Sequence, residues 1–84
     1  MELTPGTDID RILAGIRTKY AKFEINTTDG IRIDFENEWV HLRKSNTEPV
    51  IRIIAESDME SKSRSLAQKI ISDIKEIISE KKES

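Results

Sequence analysis

Residues 43–47 of the chain, Arg43-Lys44-Ser45-Asn46-Thr47, bring a guanidinium, an ammonium, two hydroxyls and a carboxamide together in one short stretch. That is a dense set of donors for a small oxyanion. Arg43 offers a planar fork of N–H groups whose spacing suits the oxygens of a phosphate. Ser45 and Thr47 each carry a hydroxyl proton to donate. Asn46 tolerates the left-handed region, so the backbone can turn here and aim successive N–H groups into one concavity. Glu48 is biased toward extended geometry by Pro49, and Pro49 suits the first position of a following strand. Two readings of the stretch stand side by side: a loop that holds an oxyanion, and a polar hairpin turn between strand-like runs at 39–42 and 50–55.

The elements on either side of the loop follow from hydrophobic spacing. Residues 7–18 read as a helix, with Thr7 as N-cap and Asp8 and Asp10 at the positive end of the dipole. Ile9, Ile12, Leu13 and Ile16 recur on one face of it. Four strands are expected next. Ala21, Phe23 and Ile25 alternate with polar residues in the first, and Ile31, Ile33 and Phe35 in the second. An Asp29-Gly30 hairpin signal lies between those two. Val40 and Leu42 share one face of the third strand. Ile51, Ile53 and Ala55 share one face of the fourth. Residues 58–81 read as a longer helix opened by a Ser57-x-x-Glu60 capping box. Its stripe is Met59, Leu66, Ala67, Ile70, Ile71, Ile74, Ile77 and Ile78.

Short connections demand antiparallel neighbours, so the strands form a meander. One face of that sheet can bury both helix stripes. The expectation is a single α+β domain over residues 1–84, two-layered, with a four-stranded antiparallel sheet and two helices packed on one face. The other face is left exposed or docks on a neighbouring domain.

Composition excludes several function classes. With 14 basic and 16 acidic residues the net charge is −2, against a general nucleic-acid binder. No cysteine is present, so there is neither a disulfide nor a thiolate site. No apolar run approaches the roughly 18 residues needed to span a bilayer, and the start of the chain lacks a signal-peptide core. A cytoplasmic protein with no membrane partner fits these features. His41 has no metal-ligand spacing around it and reads as a surface residue. Trp39 reads as packing at the sheet edge and Asp29 as turn chemistry, while Arg52 alternates onto the outer face of its strand, with support of the loop as the second reading. Glu48 is a candidate to orient Arg43 or to stabilise the turn.

The Arg-x-Ser-Asn-Thr-Glu-Pro motif follows Thr28-Asp29-Gly30-Ile31-Arg32-Ile33 and Trp39-Val40 in the chain. In this order the motifs resemble the C-terminal domain of the α-D-phosphohexomutases, the phosphomannomutase and phosphoglucomutase enzymes. The resemblance covers residues 20–56, and the flanking helices fit it in type and place. It implies a layout of the TATA-binding-protein-like kind. It also implies a loop that grips the phosphate of the sugar substrate, with Arg43, Ser45, Asn46 and Thr47 as the phosphate-binding residues. Lys44 falls at a variable position without a role. Gly is usual in place of Asn46 in the glucosamine-type branch, so Asn46 leans toward mannose or glucose phosphates.

The activity the resemblance implies is interconversion of hexose 1-phosphates and 6-phosphates through a phosphoserine. The phosphoserine, the Mg²⁺-binding aspartates and the sugar-reading loop belong to the preceding domains of such an enzyme. No catalytic or metal-binding residue is therefore expected here, and the chain alone should not turn over. Its partners would be the hexose phosphate and those preceding domains, and its loop would hold whichever phosphate is not reacting. A non-enzymatic anion-binding module and a protein-interaction module of the same fold are the alternative classes.

Overall fold

The computed structural model describes residues 1–45 and 47–83, with residues 80–83 by main chain only. Asn46 therefore lies outside the described residues. The element order is α1 (Ile9–Lys19), β1 (Glu24–Asn26), β2 (Ile31–Asp34), β3 (Glu38–Lys44), β4 (Ile51–Ser57) and α2 (Glu60–Glu83). The strands form one antiparallel sheet in the order β1-β2-β3-β4, the expected meander.

The sheet's inner face carries Ile31, Ile33, Val40, Leu42 and Ile51, all buried. Ile12 and Ile16 of α1 and Leu66, Ile70, Ile74 and Ile77 of α2 close over them in a single core, with Ile53 and Ala55 packed at its margin. Each such aliphatic side chain contributes about 1.5–3 kcal/mol by leaving water. The two helices also touch each other. A methyl group at Gly15 of α1 would come within 2.9 Å of Ile77 Cδ1, so a residue without a side chain lets the helices approach.

Several local expectations give way to competing chemistry. Asp8, not Thr7, caps α1: its carboxylate accepts from the Arg11 N–H at 3.1 Å. The Thr7 hydroxyl donates back to the Thr4 carbonyl at 2.6 Å instead. Ala21 and Phe23 do not reach β1. The chain leaves α1 through successive turns, in which Tyr20 N–H bonds Ile16 O and Phe23 N–H bonds Tyr20 O. The Phe23 ring then packs edge-on to Phe35, 4.8 Å between centroids, and the strand starts only at Glu24. The capping box does not form either. Ser57 Oγ lies 3.5 Å from the Met59 N–H and donates to the Asp58 carboxylate at 2.9 Å, while Glu60 is the first helical residue. Met59, set before the helix, is half exposed rather than part of the stripe.

Where α1 ends, one buried carboxylate organises a polar cluster. Asp73 of α2 is 6% exposed within the otherwise apolar interface. The Tyr20 hydroxyl donates to it in a short hydrogen bond. Lys69 Nζ donates to Tyr20 Oη at 2.8 Å and to Asp73 Oδ2 at 3.3 Å. Lys19 Nζ lies 3.6 Å from Asp73 Oδ1. Burial alone would push the Asp73 carboxyl up. The Tyr20 hydrogen bond and the Lys69 charge outweigh it, and the pKa falls below the ordinary 3.8. Tyr20 moves the other way, raised first by burial and then by its bond to Asp73.

Because the folded pKa of Asp73 is depressed, its contribution is complete above the ordinary carboxylate pKa and is lost as pH falls through the folded value. Tyr20→Phe removes the donor from a buried carboxylate and should cost about 1–3 kcal/mol near neutral pH. The gap between the two proteins should narrow in acid, where Asp73 is protonated in both. Urea melts from pH 7 down to pH 2.5 would check this. A variant equal to the wild type at pH 7, or a gap independent of pH, would mean that Tyr20 does not stabilise the carboxylate.

Candidate functional site

The donor-rich stretch is the connection between β3 and β4. Lys44 pairs with Ile51 in the last rung of the ladder, so residues 45–50 form the loop. Its closure is tight. Ser45 N–H donates to Val50 O at 3.0 Å, and Val50 N–H donates to Glu48 O at 2.8 Å. Ser45 Oγ lies 3.4 Å from the Thr47 N–H, a long contact across the tip. The exit is held from outside by the start of the chain. Leu3 N–H donates to Pro49 O at 2.7 Å, Ile51 N–H donates to Met1 O at 2.9 Å, and Glu2 bridges Val50. Residues 1–3 thus cover the main chain of β4 where it leaves the loop.

Strand alternation decides which side chains stand beside the loop. Val40 and Leu42 point inward, so Trp39, His41 and Arg43 lie on the open face of β3. Arg52, Ile54 and Glu56 occupy the same face of β4. Arg43 lies directly opposite Arg52 in the register. Two like charges facing each other across an antiparallel pair repel, and both guanidiniums stand at the foot of the loop. Arg52 forms no ion pair among the described residues. Lys44 points elsewhere, its Nζ 2.9 Å from Asp10 Oδ1 of α1.

Of the expected ligands, Ser45 and Thr47 meet across the tip of the loop and Arg43 stands near the end of β3, with Arg43 and Thr47 exposed and Ser45 half-buried. The structure adds Arg52 as an equal neighbour. Sequence alternation put Arg52 on the open face, but only the register sets it against Arg43. Glu48 does not orient Arg43 by a charge contact among the described residues. The carboxylate that does reach Arg43 is that of Asp29, its Oδ1 3.6 Å from Arg43 Nε. His41 is no idle surface residue, since its Nε2 lies 2.6 Å from the Asp29 carbonyl. A carbonyl only accepts, so the contact requires a proton on Nε2. Trp39 sits in a central strand rather than at the sheet edge, with the Arg32 guanidinium 4.4 Å above its ring.

The β1–β2 turn is pressed against this region. Gly30 adopts φ +72°, and a methyl group there would fall 2.2 Å from the Leu42 carbonyl oxygen and 3.2 Å from Arg43 Cγ. Glycine is required both for the left-handed backbone and for the space. Among the described residues, no cluster of three His, Cys, Asp or Glu could hold a metal ion. Nor is any described helix long and apolar enough to cross a membrane. The arrangement sets two guanidiniums and two hydroxyls beside one another at an open surface.

Residues 4–73 match the model of a family described as "Phosphoglucomutase/phosphomannomutase, C-terminal domain". A probable phosphoglucosamine mutase of Methanopyrus kandleri is 34% identical over 71 residues, 84% of this chain and 16% of its own length. Another from Methanocella arvoryzae is 39% identical over 80 residues, 93% of this chain and 18% of its own. A phosphoglucomutase/phosphomannomutase of Thermococcus kodakarensis is 50% identical over 42 residues, half of this chain and 9% of its own. The chain thus spans less than a fifth of the length of these curated relatives.

Gly30→Ala is expected to destabilise the chain by about 1–3 kcal/mol, the usual cost of a strained backbone position. The displaced Leu42 carbonyl should also shift the amide resonances of residues 41–45. Urea melts and ¹⁵N-correlated spectra would read both effects. A neutral variant with unmoved amides would show that the turn does not support β3.

Proposed function

The chain belongs to the phosphoglucomutase/phosphomannomutase family as its C-terminal domain, and from that membership we propose that its β3–β4 loop binds the non-reacting phosphate of a hexose phosphate. Arg43, Ser45, Asn46 and Thr47 are the proposed ligands, joined by Arg52. The observation that carries the reading is the pair of guanidiniums on facing positions of β3 and β4, at the foot of a loop with two hydroxyls. A dianion between them would relieve their repulsion and accept charge-assisted hydrogen bonds from both.

In the parent enzyme the role proposed is positioning. Binding energy at the phosphate remote from the chemistry holds the reacting end of the sugar in line. The activity proposed for that parent is intramolecular phosphoryl transfer on a hexose phosphate. The proposal is made for the class of hexose phosphates, because the relatives carry the names of glucosamine, mannose and glucose mutases. Mg²⁺, implied by the family, has no three-ligand cluster here among the described residues. It is assigned to the preceding domains, as is the phosphoserine.

On its own the chain should bind sugar phosphates weakly, because water reaches every donor at an open surface and salt screens the charges. A Kd of about 1 mM or weaker is expected, about −4 kcal/mol or less favourable. Titration with mannose 1-phosphate and glucose 6-phosphate should move amides within residues 43–47 and leave the α2 amides from 66 to 78 in place. Arg43→Ala and Arg52→Ala should each weaken the response. Shifts elsewhere, or none at tens of millimolar ligand in low salt, would count against the loop.

In an enzyme containing this domain, Arg43→Ala should lose about 1.5–3 kcal/mol of transition-state binding, the scale of a hydrogen bond to a charged group. Arg43→Lys should recover only part of it, since the fork is gone. An unchanged kcat/KM for Arg43→Ala would remove Arg43 from the site.

A further inference from the structure

We propose that Asp29 is a positioning residue for Arg43, holding the guanidinium by its Nε so that the two Nη nitrogens face the anion. The inference rests on the phosphate reading of the loop and adds a residue from a different hairpin to it. Its starting point is the 3.6 Å contact between Asp29 Oδ1 and Arg43 Nε. Such an exposed pair is weak when nothing else fixes the partners. Here the acidic partner is fixed. The main chain of Asp29 is tied to β3 through His41 Nε2, 2.6 Å from its carbonyl oxygen. The next residue, Gly30, packs against the Leu42 carbonyl and the stem of Arg43 with no room for a methyl group. The carboxylate therefore rides on a turn clamped to the same strand that carries the arginine.

The directions are also consistent. β3 lies between β2 and β4 in the sheet. Arg52 repels Arg43 from the β4 side, and Asp29 attracts it from the β2 side. Both forces act to keep the two guanidiniums apart. Contact at Nε engages the stem side of the group and leaves its outer fork uncommitted. The carboxylate would also repel an incoming anion, so its net effect depends on which influence is larger. A guanidinium that is already oriented loses less freedom on binding. With Asp29 set back at the stem, orientation outweighs repulsion.

The test uses the 84-residue chain, ¹⁵N-labelled, with inorganic phosphate as the probe. Before any phosphate is added, Nε relaxation should show Arg43 more ordered than Arg52, and Asp29→Ala should lower Arg43 to the Arg52 level. In titrations, Asp29→Ala should raise the phosphate Kd about two- to fivefold, the range set by an exposed ion pair. Asp29→Asn, which keeps an acceptor in place, should stay within about twofold of the wild type on the same scale. In an Arg43→Ala background, Asp29→Ala should have no further effect on Kd, whereas a merely structural role would weaken both backgrounds alike. Asp29→Ala that binds phosphate equally or more tightly overturns the proposal, as does an Arg43 Nε no more ordered than that of Arg52. If Arg43→Ala itself leaves phosphate binding unchanged, the phosphate reading of the loop falls. If Arg43→Ala weakens binding and Asp29→Ala does not, only the role of Asp29 falls.

Discussion

Everything in this domain depends on burying two helix stripes against one face of a small sheet. Ile33, Val40, Leu42 and Ile51 from the strands meet Ile12, Ile16, Ile70 and Ile74 from the helices, all at 2% exposure or less. A chain of this size buries a smaller share of its surface than larger domains do, so its stability rests on few residues. The same constraint settles the other face. With both helices on one side, alternate strand residues have no helix opposite them among the described residues. That is where Trp39, His41, Arg43 and Arg52 are found.

Among the described residues, the one buried charged side chain, Asp73, is satisfied where it stands. Asp73 would be costly alone in that position. Tyr20 and Lys69 satisfy it, and no buried side-chain donor or acceptor among the described residues lacks a partner. The cluster joins the end of α1 to the middle of α2, fixing how the helices meet. The depressed carboxyl and the raised phenol follow from that structural role.

The loop is supported from three directions. The β3–β4 ladder carries it up to Lys44 and Ile51. Residues 1–3 pair with its exit at Pro49 and Ile51. The Asp29-Gly30 turn braces its entry at Leu42 and Arg43. A loop of hydroxyls and a guanidinium is soft by itself. Both of its ends are attached to neighbouring segments.

Alternation and helical spacing determined the element order, the meander and most of the core, because period-two and period-3.6 patterns follow from backbone geometry alone. The place of the donor-rich stretch between β3 and β4 was equally legible, since it lies between two strand-like runs. Tertiary structure decided the rest. Phe23 looked like a strand residue, yet it follows the turn after Tyr20 because Tyr20 is drawn into the bond with Asp73. Asp29 looked like turn chemistry, and Arg52 like one more polar residue on an outer face. Their places beside Arg43 depend on register and on the close approach of Gly30 to β3, which no local pattern encodes. Contacts between residues far apart in sequence are set by how strands align, and that alignment is fixed only when the shared core closes.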